Sequence, residues 1–242
     1  MAEAPPGFSA EALAAGTRIA LRVEYDGSGY SGWQSQPHLP HVVTVQDTLE
    51  RALSQVAAAP VRVHCAGRTD AGVHATAQWI HFDAPAERSL KSWIVGGNAQ
   101  LPPSVRVADG CAVPGEFHAR HSATARRYDY LIHNAATASA LLAGRALWVR
   151  DRMDEDRMHR ALQEILGERD FSAFRATSCQ SRTPMRCLMA ASVERRGTLL
   201  RVRLIANAFL HHMVRNIVGS LLPIGQSSAP AAWLAELLEH RV

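Results

Sequence analysis

With 242 residues, 47% of them hydrophobic, the chain can bury one large core or two small ones. Charged residues make up 20% and are spread among apolar ones, which excludes global disorder; no stretch approaches the ~20 apolar residues of a membrane span. A formal charge of +4 and a pI of about 9.2 are compatible with a polyanionic partner. Lys91 is the only lysine, so the positive charge is almost all arginine. Guanidinium groups pair bidentately with phosphate and stack on bases, although codon bias toward Arg and Ala gives the same composition. Cys65, Cys111, Cys179 and Cys187 have no C-x-x-C spacing. Zinc-ribbon and thioredoxin-like sites are therefore not indicated, and the four read as reduced thiols of a cytoplasmic protein.

In chain order, residues 1–16 are Ala/Pro-rich, without the basic and apolar regions of a signal peptide, and are expected to form a flexible N-terminal tail. Alternation over Arg18 to Tyr25 predicts a strand, and the three glycines of Asp26 to Gly32 a loop. Val45, Leu49, Ala52, Leu53 and Val56 have helical spacing behind a Thr44/Asp47 capping box. Val61 to Ala66 and Ala77 to Phe82 read as strands around the tight loop Gly67 to Gly72. A helix over about 89–98 and a strand over Val105 to Val113 follow. The second half repeats the plan loosely: strands at Arg127 to His133 and Ala146 to Val149, and a helix at Asp154 to Leu166. After these come a hairpin of Leu188 to Glu194 with Leu199 to Ile205, and helices at Phe209 to Leu222 and Ala231 to Leu238. The pattern is α+β, with an N-terminal half over 17–113 and a C-terminal half over 114–242.

Three clusters can carry chemistry. Gly67-Arg68-Thr69-Asp70-Ala71-Gly72-Val73-His74 places one carboxylate and one guanidinium in a turn between strands. An adjacent cation favours the charged form of a carboxylate, which can then act as a nucleophile or stabilise a developing cation. Asp70 can equally close an Asx-turn, with Arg68 in solvent. The second cluster joins Phe117-His118-Ala119-Arg120-His121 to Arg126-Arg127-Tyr128. Basic residues beside an aromatic suit phosphate contact and base stacking; Tyr128 as ordinary sheet core is the plainer alternative. His118 and His121 have H-x-x-H spacing but lack a Glu or third ligand at helical spacing; a metal hydrolase built on His118, His121, His211 and His212 is a further alternative. In the third cluster, Arg215 falls in an apolar helix, where a charge calls for a carboxylate or phosphate partner. Arg182, in the polar loop Gln180 to Pro184, can touch RNA backbone or simply face water.

The order of these motifs resembles the bacterial tRNA pseudouridine synthase A family over about residues 18–240. The matching stretches are Glu24 to Gly27, Gly32-Trp-Gln34, Gly67 to His74, Phe117 to Arg120, Ser122 to Tyr128, Cys179 to Pro184, and Ala206 to Gly219. The resemblance implies two ferredoxin-like halves forming a continuous, mainly antiparallel sheet flanked by helices, with a central catalytic cleft. It implies a homodimer, no cofactor and no metal. The reaction implied is conversion of uridine to pseudouridine at positions 38, 39 and 40 of the tRNA anticodon arm. Asp70 takes the place of the nucleophile, and Tyr128 that of the residue stacking on the target base. Arg68 and Arg215 fall at active-site positions, with Arg215 as ion-pair partner of Asp70; Arg126, Arg127 and Arg182 are expected to contact substrate. Asp129 departs from the basic residue frequent in relatives and is expected to weaken local RNA attraction slightly. Relatives also continue past the Trp233 helix with an Ala-x-Gly-Leu-like strand that this sequence does not reach, so an exposed sheet edge and a more open cleft are expected. A non-catalytic tRNA-binding protein is the alternative that this shortening favours.

Overall fold

The computed structural model describes residues 7–39 and 41–240. The chain divides into two compact units, Met1–Ala123 and Thr124–Val242, each of α+β class. The first unit extends past the boundary expected at 113/114. Arg18 explains part of this, because its guanidinium donates to the carbonyls of Gly115 and Phe117 and so holds the segment after residue 113 on the first unit.

In the first unit the strands are β1 (Ala12–Leu13), β2 (Arg18–Tyr25), β3 (His64–Cys65), β4 (Ala75–Asp83), β5 (Arg88–Ser89) and β6 (Val105–Ala112). The helices are α1 (Val45–Ala57) and α2 (Gly97–Gln100), the latter entered through a π-helical turn at Ser92–Gly96. The main sheet has the order β3-β4-β2-β6 and is antiparallel throughout. Alternation in β2 buries Ile19, Leu21, Val23 and Tyr25 on one face, where Leu49 and Leu53 of α1 and Trp93 complete the core. Each large side chain buried this way contributes about 1.5–3 kcal/mol. α1 starts where expected: Thr44 Oγ1 accepts from Asp47 N at 3.2 Å, and the Asp47 carboxylate accepts a hydrogen bond from the Thr44 hydroxyl at 2.5 Å. The helix ends on Ala58 in the left-handed region, φ 53°.

The flexible tail expected over residues 1–16 does not hold for residues 7–16; residues 1–6 lie outside the described residues. β1 pairs with β5, Lys91 N donates to Ser9 O at 3.0 Å, and Gly16 N donates to Ala84 O at 2.8 Å. Phe8 and Leu13 pack on the core, two apolar anchors in a stretch whose composition otherwise resembles a linker.

The second unit contains β7 (Arg126–Asn134), β8 (Leu147–Val149), β9 (Gly167–Asp170), β10 (Met185–Arg196) and β11 (Leu199–Ala206). Its helices are α3 (Glu155–Gln163), α4 (Met213–Gly225) and α5 (Trp233–His240). The sheet order is β8-β7-β11-β10-β9, antiparallel except for β8, which runs parallel to β7. Met158 and Leu162 of α3 and Ile217 and Leu221 of α4 share its core with Leu188, Leu200, Val202 and Leu204. A bulge between Leu188 and Ala190 switches the inward parity of β10 from Arg186 and Leu188 to Ala191 and Val193. The apolar helix expected from Phe209 begins only at Met213.

On the face of β4 opposite α1, His81 pairs in register with His64, their ring centroids 5.0 Å apart, and lies 4.5 Å from the His118 ring. Ala119 N donates to His81 Nδ1 at 3.1 Å, so this nitrogen must be unprotonated. His81 is 2% exposed, and burial, followed by the neighbouring His118, His64 and Arg18 charges, pushes its pKa down to about 4 despite Asp83. In the unfolded chain it returns to about 6.5. Between these values the unfolded state binds the proton more readily, so stability is full above pH 6.5 and falls as pH drops toward 4. Urea unfolding across this range is expected to show that loss, and His81→Gln to reduce its slope. An unchanged slope in the variant would remove His81 as the cause.

Candidate active site

The Gly67–His74 loop joins β3 to β4 and carries Asp70, half-buried, with Arg68 exposed two residues before it. It is braced from both sides. Gln78 on β4, 7% exposed, donates from Nε2 to Gly67 O at 2.5 Å and accepts from Gly67 N at 3.3 Å, fixing the start of the loop. Tyr25 at the end of β2 shares a hydrogen bond with Thr69 Oγ1 at 2.8 Å, and Trp33 N donates to Thr69 O at 2.9 Å. Thr69 is thus held by side chain and backbone immediately before Asp70. Burial, opposed by the bonds to Thr69 and Gln78, raises the Tyr25 pKa, so its hydroxyl remains a neutral hydrogen-bonding group.

The glycine-rich loop after β2 provides the floor. Gly32, at φ +94°, passes so close that a Cβ would lie 3.0 Å from Thr69 O and 3.2 Å from Ala71 N. A Cβ on Gly27 would lie 2.1 Å from Val73 O, and Gly27 N donates to His74 Nδ1 at 3.1 Å. His74 Nδ1 is also 3.1 Å from the Asp26 carboxylate. Of the three glycines that read as a loop, Gly27 and Gly32 let two loops pack backbone to backbone, while Gly29 faces open space. Among the described residues no ion pair joins Arg68 to Asp70.

His118 and His121 pack in a ring cluster with His64 and His81, the His118 ring tilted or edge-on to the other three. Among the described residues, none of these four belongs to a group of three potential ligands within metal-binding reach. His118 Nδ1 instead accepts from Arg120 N at 3.2 Å.

In the second unit, Tyr128 lies on β7 opposite Leu204 of β11, and its half-buried ring meets Phe209 edge to face at 5.0 Å. Phe209 was expected as a helix residue; it lies in the turn before α4 and braces Tyr128. Arg126 donates to Asn207 O at 2.7 Å, while Arg127 is exposed. Asp129 is held by Arg203, its cross-strand partner, at 2.7 and 3.0 Å. That guanidinium keeps the Asp129 carboxyl below its usual range, and the pairing offsets the negative charge expected to weaken RNA attraction.

Arg215 occupies the exposed side of the first turn of α4. The turn is entered through His212 at φ 61°, a conformation that costs a non-glycine residue about 1 kcal/mol or more and is concentrated at functional sites. His211 and His212 rings lie 4.0 Å apart, and His211 Nδ1 is 3.2 Å from Ser178 Oγ.

Arg182 is exposed in the 179–184 loop, and two arginines absent from the expected set shape it. Arg175 donates to the carbonyls of Cys179 and Ser181 at 2.6 and 2.8 Å. Arg186 donates to Thr183 O at 3.0 Å and to Ser181 Oγ at 2.6 Å, gripping the residues on either side of Arg182. Arg186 is buried, and desolvation lowers its pKa. The signal for it is its inward parity with Leu188 on β10.

An α+β protein that fixes a carboxylate on a doubly braced loop, and presents exposed arginines beside a braced tyrosine, has the parts of an enzyme with a polyanionic substrate. Residues 21–122 and 161–242 match the family described as tRNA pseudouridine synthase. The chain is 53% identical over 221 residues to the tRNA pseudouridine synthase A of Escherichia fergusonii and 54% identical over 221 residues to that of Cronobacter sakazakii. Each match covers 91% of this chain and 81% of the relative. A Salmonella paratyphi B protein of the same description is 53% identical over 224 residues, 93% of this chain and 82% of its own length. The chain belongs to the tRNA pseudouridine synthase family.

The two glycines of the Gly27–Gly29 turn separate loop support from general flexibility. Gly27→Ala drives a methyl group into Val73 O, whereas the Cβ of Gly29→Ala meets open space. Gly27→Ala is expected to lose roughly 1–3 kcal/mol in urea unfolding and to lower product formation by about 10²-fold through displacement of the Asp70 loop. Gly29→Ala should remain within about 0.5 kcal/mol of the parent.

Proposed function

We propose that this protein isomerises uridine to pseudouridine at positions 38, 39 and 40 of the tRNA anticodon arm, with Asp70 as the nucleophile. Family membership makes it an isomerase that acts on tRNA. The observation that supports the assignment of Asp70 is the bracing of its loop by Gln78, Tyr25, Trp33 and Gly32, which holds one carboxylate at a fixed position.

The reaction breaks the N1–C1′ glycosidic bond, turns the uracil and joins C5 to C1′. No atom is gained or lost, so the chemistry calls for neither cofactor nor metal. The target nucleotide has to leave its stack, at a cost of a few kcal/mol. Stacking on Tyr128, worth about 1–3 kcal/mol per base, offsets part of this. Phe209 fixes the ring that does so. In this proposal Arg215 pairs with Asp70 and keeps it charged and oriented, and Arg68 supplies a second active-site cation. Arg126, Arg127 and Arg182 contact the RNA backbone. The strand-helix order of the first unit, β2-α1-β3-β4-α2-β6 in the sheet order β3-β4-β2-β6, supports reading it as a ferredoxin-like half. The second unit is taken as the other half. A homodimer acting in the cytoplasm completes the proposal. No helix among the described residues is long and apolar enough to cross a membrane.

Primer-extension mapping on unmodified tRNA tests the roles. Asp70→Asn is expected to abolish pseudouridine while tRNA binding survives; normal modification by this variant would refute the nucleophile. Tyr128→Phe should retain appreciable activity and Tyr128→Ala should fail. Equal activity of both with the parent would eliminate stacking.

A further inference from the structure

The second unit carries another cationic feature, at the far end of β7 from Tyr128. A cavity of about 400 Å³ opens there, walled by Asn134, Arg150, Arg152, Glu155 and Arg195, with only Ala135 and Ala136 as apolar lining. Arg195 is committed to structure: it pairs with Glu155 at 2.9 Å and donates to Met153 O at 2.7 Å and Asn134 Oδ1 at 3.2 Å. Glu155 is thereby neutralised. Arg150 and Arg152, both exposed, have no hydrogen bond or ion pair among the described residues. Two guanidinium groups without a partner thus face a cavity whose one carboxylate is already paired.

An aromatic ring stands beside them. Trp148, 44% exposed, donates from Nε1 to Ala135 O at 2.9 Å, so the indole is tethered to the wall of the cavity. An exposed, oriented indole next to uncommitted guanidinium groups matches a phosphate followed by a base, and lacks the apolar enclosure a small organic ligand needs.

We propose that this cavity is a second RNA-contact site, in which Arg150 and Arg152 bind a backbone phosphate of the tRNA substrate and Trp148 stacks on the adjoining base. Asn134 lies six residues beyond Tyr128 on the same strand, about 20 Å at ~3.3 Å per residue, so the site is separate from the target base. Its role is to bind and register the tRNA. The inference rests on tRNA being the substrate.

The test measures tRNA affinity of the full chain at several salt concentrations, alongside turnover at saturating tRNA. Arg150→Ala/Arg152→Ala is expected to weaken binding about tenfold at low salt and to flatten the salt dependence by roughly two phosphate contacts' worth, ~0.7–0.9 in log–log slope for each. KM should rise while kcat stays within about twofold. Trp148→Ala should weaken binding further and Trp148→Phe restore most of it. Calorimetric titration with inorganic phosphate should show weak binding that the double variant loses and that tRNA displaces at matched ionic strength. Unchanged affinity and salt slope in the double variant would overturn the proposal. Tight phosphate binding that leaves tRNA affinity unaffected would overturn it as well, assigning the cavity to a small anion. Parent protein that makes no pseudouridine would refute the proposed reaction, while the binding curves would still decide the cavity.

Discussion

The proposed reaction, initiated by the Asp70 carboxylate, requires that the carboxylate be in place before substrate arrives, because positioning lost at the reacting atom is lost directly from the rate. In the first unit this constraint falls on Thr69 and Gly67. Gln78 closes both backbone groups of Gly67, and Tyr25 and Trp33 hold Thr69 by side chain and carbonyl. These braces come from strands and a loop that are themselves locked in the core by Tyr25 and Trp33, both nearly fully buried. The glycines at 27 and 32 are then conditions for two backbones to approach.

The second unit follows the same logic with cations. Arg186 and Arg175 spend their hydrogen bonds on loop carbonyls and a hydroxyl, so the buried charge organises the backbone around exposed Arg182. Asp129, which read as an unfavourable charge facing RNA, is absorbed by Arg203. Arginine richness therefore has two meanings here. Some guanidinium groups build the scaffold, and others, such as Arg127, Arg150, Arg152 and Arg182, remain at the surface.

Periodicity made the long elements legible: β2, α1, β7, α3 and the β10–β11 hairpin fall where alternation or helical spacing puts them. The elements that escaped it have no periodic signal. β9 is Gly-Glu-Arg-Asp, and β1 and β5 are two residues each, held by pairing rather than composition. The start of α4 was displaced because Phe209 and Leu210 are apolar without being helical; Phe209 turns toward Tyr128 instead. Asp70, Arg68 and Tyr128 stood out through their motifs. Gln78, Phe209 and Arg186 did not: Gln78 and Phe209 act through contacts with residues distant in sequence, Gly67 and Tyr128, and Arg186 through bonds to a loop whose fold local periodicity does not encode. Arg186 alone left a trace, a charge at an inward position of a strand.

The most direct test of the account is to incubate the purified protein with unmodified tRNA in the presence of a chelator and map pseudouridine along the anticodon arm. Pseudouridine confined to positions 38–40 is the result expected of a carboxylate-based isomerase. No product, or product only when metal is restored, would contradict it.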